Sequence, residues 1–233
     1  MDEFQFAQYI DQTKLDGEST RTRYSEFLGQ AAEFGFASVA VLPFWVKHAR
    51  HCLDGSNTKV TAGISYPYGA SPAFLKVAEA EDAIREGAQE IDYVINLPEL
   101  HNQNMSLLLN EAREMRKVVG DRVLKAIIEL WSLSEAEVEL FCDVAKEAKI
   151  DYLKTSTGFK LFPGIRAATM DEIRRLVDLA GEDIQVKVAG GIRTAEQGLA
   201  LIQIGVRRLG TSSGAALVEG FRILSQEDAV FEE

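Results

Sequence analysis

Three consecutive segments decide how this chain folds: Leu124-Lys-Ala-Ile-Ile-Glu-Leu130, then Ser134-Glu-Ala-Glu-Val-Glu-Leu-Phe-Cys-Asp-Val-Ala-Lys-Glu-Ala-Lys149, then Asp151-Tyr-Leu-Lys-Thr-Ser156. The outer two are short, apolar runs of the kind that pair as buried strands. The middle one spaces its apolar residues by three and four, the period of a helix with one buried face. Ser134 and Glu137 at its start have the form of a capping box, which marks a helix N-terminus. Two strands joined through a helix of this length pair in parallel, because a tight hairpin is not available to them.

The same alternation runs along the whole chain. Candidate strands are Tyr9–Thr13, Ala37–Leu42, Lys59–Ile64, Glu90–Asn96, Leu124–Leu130, Asp151–Ser156, Ile184–Ala189 and Val206–Thr211. Helical patterns include Ser71–Glu86, Ser106–Val119, Ser134–Lys149 and Thr169–Ala180. Eight such units in 233 residues, with no linker or low-complexity segment, favour an α/β fold closed into a single (β/α)8 barrel over an open doubly wound sheet. Residues 1–233 are therefore expected to form one domain, with 219–233 a frayed acidic tail where periodicity is lost.

Composition narrows the function classes. Aspartate and glutamate number 36 against 25 lysines and arginines, for a net charge of −11. Most of such a surface repels nucleic acid and anionic membranes. Cys52 and Cys142 are too few for a disulfide framework, and the acidic start MDEFQFAQYI is unlike a signal peptide. No apolar run approaches the ~20 residues needed to cross a bilayer. A cytoplasmic enzyme is expected, and any anionic substrate needs a local trap.

Charges placed on strands point to chemistry. Asp92 interrupts the apolar run Glu90–Asn96, and Lys125 and Glu129 fall on one face of theirs. Lys154 and Lys187 lie within the two apolar strands that follow. One such lysine could be a barrel-end ion pair or could reach water along its stem. Three in successive strands, after an acid, suggest instead an amine activated by desolvation and neighbouring cations, able to form a Schiff base with a carbonyl. Asp92 would move protons, and no metal or cofactor is needed. The turns Ala189-Gly-Gly-Ile-Arg-Thr194 and Leu209-Gly-Thr-Ser-Ser-Gly214 follow the last two strands, where such barrels often hold phosphate. Gly190, Gly191 and Gly210 admit an anion to backbone N–H groups, and Ser212 and Ser213 add hydroxyls at a helix N-terminus.

Other features carry less. His48, His51 and Cys52 share one helix face but lack a clear fourth ligand for a metal. The loop Gly158–Arg166 reads equally as a lid, with Lys160 or Arg166 on phosphate, or as a surface excursion, and Phe44-Trp45 reads as packing.

These motifs resemble the deoxyribose-phosphate aldolases, class I Schiff-base aldolases with a TIM-barrel fold. The resemblance runs from about Ile10 to Val218 and rests on Ile10-Asp-Gln-Thr13, Glu90-Ile-Asp-Tyr-Val-Ile-Asn96, Lys125-Ala-Ile-Ile-Glu129, Lys154-Thr-Ser-Thr-Gly-Phe159, Lys187-Val-Ala-Gly-Gly-Ile-Arg193 and Gly210-Thr-Ser-Ser-Gly214. It implies Lys154 as the imine-forming lysine, Lys187 as the partner that lowers its pKa, and Asp92 as the acid/base group. Asp11 and Lys125 would support the proton relay, and Gly158, Gly190, Gly191, Arg193, Gly210, Ser212 and Ser213 would hold phosphate. The implied partners are a phosphorylated sugar and aldehydes, with a homo-oligomer, dimer or tetramer, common in the family. Gln12, Ala40 and Leu130 stand where the family often has His, Cys and Thr. The alternatives are a Schiff-base aldolase with another acceptor and a catalytically silent sugar-phosphate-binding barrel. A metal-dependent epimerase lacks its ligand set.

Overall fold

The computed structural model describes residues 1–159 and 166–231, with side chains to residue 226 at the C-terminal end. Its strands are β1 (Ile10–Lys14), β2 (Ser38–Val41), β3 (Lys59–Ile64), β4 (Glu90–Val94), β5 (Val123–Ile127), β6 (Tyr152–Lys154), β7 (Gln185–Ala189) and β8 (Arg208–Thr211). Each pairs in parallel with the next, and β8 pairs with β1 to close the barrel. All eight expected strands are present, in a single (β/α)8 TIM barrel.

Strand parity divides the molecule into an apolar layer and a charged interior. Val39, Val60, Ala62, Ile91, Tyr93, Leu124, Ala126, Leu153, Val186 and Val188 belong to one continuous hydrophobic core beneath the helices. Residues of opposite parity on these strands include Ser38, Thr61, Glu90, Asp92, Lys125, Lys154 and Lys187, all buried. The alternation that makes an amphipathic strand thus delivers ionised side chains into the barrel.

Six of the strands are shorter than the runs expected for them, β6 most of all. β5 ends at Ile127 because Glu129 adopts a left-handed conformation, φ 47° and ψ 55°, that turns the chain. Ile128 N–H still donates to Lys154 O at 3.0 Å, and Thr155 N–H to Lys187 O at 3.0 Å, so the ladder outlasts the regular strands.

The outer layer comprises α1 (Glu3–Ala7), α2 (Arg21–Phe34), α3 (Val46–Cys52), α4 (Ala73–Arg85), α5 (Leu97–His101), α6 (Met105–Val119), α7 (Glu135–Glu147), α8 (Met170–Ala180), α9 (Ala195–Gln203) and α10 (Gly214–Phe231). The Ser134/Glu137 capping box opens α7, and Thr169/Glu172 and Thr194/Gln197 open α8 and α9 in the same way. Lys76 of α4, fully buried, meets Glu111 of α6 at 2.9 Å and Val94 O at 2.8 Å, tying two helices to the end of β4. No described helix is long and apolar enough to cross a membrane.

The expectation of a frayed segment from residue 219 is corrected. α10 continues to Phe231, and Leu217, Phe221 and Leu224 repeat at helical spacing and pack on the core. Phe221 stacks on Phe6 with ring centroids 4.7 Å apart, and Arg222 pairs with Glu3 at 2.7 Å. Both ends of the chain are thereby joined over the same face. Phe44 is likewise not packed: it is exposed, whereas Trp45 stacks on Tyr24 at 4.0 Å. Replacing Phe221 by Ala removes a buried aromatic and is expected to cost about 3 kcal/mol, read from urea unfolding. A loss under about 1 kcal/mol would mean that this end of α10 does not pack on the barrel.

Candidate active site

The interior charges form one connected cluster. Asp92 lies at its centre, with Oδ1 3.0 Å from Lys125 Nζ and Oδ2 3.1 Å from Lys154 Nζ and 2.9 Å from Lys187 Nζ. Register explains the contacts: Asp92 stands beside Lys125 across β4 and β5, and Lys154 beside Lys187 across β6 and β7. Below them, Asp11 forms an ion pair with Lys187 and accepts from Arg208, each at 2.5 Å. Glu90 receives Lys125 at 2.5 Å and Arg208 at 3.3 Å.

This arrangement sets the protonation states. Burial alone would raise the carboxyl of Asp92, but Lys125, Lys187 and Lys154 outweigh it and hold the group well below the ordinary carboxylate range. Asp11 is held down in the same way, against its burial, by Lys187, Arg208 and Lys125. Burial would lower the Lys125 ammonium, yet Asp92, Glu90 and Asp11 raise it above its ordinary value. For Lys187 burial prevails, and its proton is held less tightly than usual despite Asp11 and Asp92.

Above the cluster opens a cavity of about 320 Å³. Lys154 lines it, as do Gly158, Gly190, Gly191, Arg193, Gly210, Ser212 and Ser213. Asp11, Asp92, Lys125 and Lys187 are not among its lining residues. Lys154 is therefore the lysine of the cluster that faces open space. The two turns supply much of its wall. Gly190 and Gly191 have φ of 93° and 82°, a region that side chains disfavour. Thr211 Oγ1 donates to Ile192 O at 2.8 Å and accepts from Ser213 N–H at 2.9 Å, joining one turn to the other. α10 starts directly after Ser212-Ser213, so the positive end of its dipole lies at the rim. Gln12 accepts from Gly214 N–H at 2.9 Å and so caps this helix. Gly210 serves packing as well, since a Cβ there would lie 3.2 Å from Lys187 Cε.

Several functional candidates escaped the sequence reading. Glu90 and Arg208 complete the floor, and inward strand parity was the available signal. Tyr66 follows β3 in an irregular turn, where no period marks it, and its hydroxyl lies 2.5 Å from Lys154 Nζ. Glu129, expected to share a strand face with Lys125, instead binds the next loop: it accepts from Thr157 N–H and from Trp131 Nε1–H at 2.7 Å. Arg166 forms a bidentate pair with Glu172 at 2.6 and 2.7 Å and does not line the cavity, while Lys160 lies outside the described residues. His48 contacts Ser25 Oγ at 3.0 Å and Cys52 Sγ at 3.7 Å. Among the described residues no group of three or more His, Cys, Asp or Glu is placed to hold a metal ion.

Sequence and fold comparisons match the chain to aldolases. The family model of DeoC/LacD family aldolases matches residues 6–218. A deoxyribose-phosphate aldolase of Streptococcus pneumoniae (strain Hungary19A-6) is 38% identical over 212 residues, covering 91% of this chain and 94% of the relative. A structure described as a deoxyribose-phosphate aldolase from Coccidioides immitis superposes with a TM-score of 0.90 at 32% identity, covering 95% of this chain and 87% of its own. The tetrameric deoxyribose phosphate aldolase of Aeropyrum pernix superposes with a TM-score of 0.86 at 25% identity, covering 96% and 93%. By sequence and by fold, the chain belongs to the DeoC/LacD aldolase family and is a lyase of that family.

Proposed function

We propose that this enzyme reversibly cleaves 2-deoxy-D-ribose 5-phosphate to acetaldehyde and D-glyceraldehyde 3-phosphate through a Schiff base on Lys154. The observation that carries the reading is the position of Lys154. Its amine pairs with Asp92, and its side chain lines the same cavity as the two glycine–serine turns. An aldehyde carbon at Lys154 and a phosphate at those turns are the two ends of such a substrate.

Charge balance supports Lys154 as nucleophile. The ion-paired cluster holds four cations (Lys125, Lys154, Lys187, Arg208) and three carboxylates (Asp11, Asp92, Glu90). Loss of one proton from Lys154 leaves three facing three, so its neutral amine strands no buried charge. The amine attacks the sugar aldehyde, and loss of water gives the iminium. Asp92 then takes the proton of the C3 hydroxyl, relayed by water, as the C2–C3 bond breaks and its electrons flow into the iminium. Forming the neutral enamine removes one of the three cations around Asp92, which raises its proton affinity in the step that needs it. Ser212, Ser213 and the N–H groups of Gly190 and Gly191 hold the phosphate, with Arg193 at the rim. The tetrameric relative from Aeropyrum pernix supports a homo-oligomer in solution for this chain as well.

Incubation with 2-deoxyribose 5-phosphate and borohydride should place a stable adduct on Lys154, found by peptide mass mapping and absent from Lys154→Ala. An adduct on Lys187 would reverse the two roles, and no adduct alongside intact phosphate binding would favour a silent barrel. Ser212→Glu should raise KM for the phosphorylated sugar far more than for unphosphorylated deoxyribose; equal effects would remove the phosphate from this turn.

Arg208→Met removes the guanidinium hydrogen bonds to Asp11 and Glu90 while leaving them Lys187 and Lys125, and should cost about 1.5–3 kcal/mol at neutral pH. The sign with pH follows from Asp11. Its depressed carboxyl contributes stability that is complete above the ordinary value of 3.8 and is lost as pH falls through the folded value. The gap between variant and wild type should therefore narrow below pH 3.8. A gap constant to low pH in urea titrations would exclude Asp11 as the group that Arg208 serves.

A further inference from the structure

The Tyr66 hydroxyl sits on the nitrogen that becomes the imine, and the mechanism above leaves it without a task. The fold makes specific room for it. Gly63 of β3 stands beside Asp92 of β4, and a Cβ at Gly63 would lie 2.9 Å from two carbons of the Tyr66 ring. The absent side chain lets the ring lie against β3, and the edge of Phe159 meets it with centroids 6.1 Å apart. The hydroxyl then reaches Nζ of Lys154, the lysine that lines the cavity, at 2.5 Å.

Cleavage leaves an enamine on Lys154 whose terminal carbon needs a proton before acetaldehyde can leave. The proton that Asp92 takes during cleavage returns to solvent through the relay water, and with acetaldehyde alone Asp92 has none to give, because three ammonium groups hold it ionised. Lys187 and Lys125 are engaged with carboxylates beneath the cavity floor. We infer that Tyr66 is the acid that protonates the enamine carbon, and that its phenolate is the base for the reverse step. This rests on the Schiff base on Lys154 proposed above.

The step balances without a further reactant. The enamine π pair forms a C–H bond with the phenolic proton, the nitrogen lone pair becomes the C=N bond, and a phenolate remains beside the iminium cation. Water adds to the iminium carbon and gives its proton to the phenolate, which restores Tyr66. The carbinolamine then passes its hydroxyl proton to nitrogen, the C–N bond breaks, and acetaldehyde leaves Lys154 as the free amine. The reacting carbon is two bonds from the nitrogen that Tyr66 already touches. Burial, with the carboxylates of Asp92 and Glu129 nearby, keeps the phenol protonated until the iminium cation forms to balance a phenolate.

The test is exchange of the acetaldehyde methyl protons in D2O, followed by proton NMR with the full-length enzyme, because exchange requires this step and no carbon–carbon bond cleavage. Tyr66→Phe should still give the borohydride adduct on Lys154 while exchange and cleavage both fall about a hundredfold, a typical share for a positioned acid. Gly63→Ala, which displaces the ring while keeping the hydroxyl, should lower exchange in the same sense. Exchange by Tyr66→Phe within about twofold of wild type would overturn the assignment. So would loss of the adduct in Tyr66→Phe alone, which would move its role to amine attack. Loss of the adduct in the wild type would instead defeat the Schiff base itself, and this assignment with it.

Discussion

The carboxylate of Asp92, held between the ammonium groups of Lys125, Lys154 and Lys187, is the interaction on which the rest of the site depends. An unpaired charge inside a barrel is too costly to keep, so each of these groups requires the others. Asp11, Glu90 and Arg208 extend the same pairing to the barrel floor. The strands must keep their register for these contacts to form: a slip of one residue between β4 and β5 would send Asp92 or Lys125 to the apolar layer. Barrel closure and the charged interior are thus one constraint seen at two scales.

Function takes advantage of an asymmetry in that cluster. Lys125 and Lys187 are enclosed by carboxylates, whereas Lys154 has Asp92 on one side and open space on the other. The cavity's lining combines the Lys154 side chain with the glycine turns and the hydroxyl-bearing Ser212 and Ser213. The net charge of −11 is carried by the exterior, while this small interior is organised by cations. An acidic protein can therefore present a site suited to an anionic sugar.

Much of this was legible from the chain because periodicity is a direct consequence of burial. Apolar runs separated by amphipathic helices gave all eight strands, and charges set into those runs pointed to Asp92, Lys125, Lys154 and Lys187. Legibility failed where structure is set by tertiary contact. Tyr66 lies in an irregular turn, and its contact with Lys154 spans 88 positions. Glu129 looked like a strand residue because the apolar run continued to Leu130, yet its left-handed backbone ends β5 and redirects its carboxylate to Thr157. The acidic ending at 219–233 obscured the Leu217–Phe221–Leu224 stripe that docks α10 on Phe6. Lys76 and Glu111 could not be paired from sequence, since each on its own helix reads as a solvated residue.

The most direct measurement is a crystal structure of the enzyme reduced with borohydride in the presence of 2-deoxyribose 5-phosphate. The expected result is continuous density from Lys154 Nζ to C1 of the sugar, with the phosphate at the turns carrying Gly190, Gly191, Ser212 and Ser213. Density joined to Lys187, or a phosphate bound away from those turns, would contradict the placement of the reaction at Lys154.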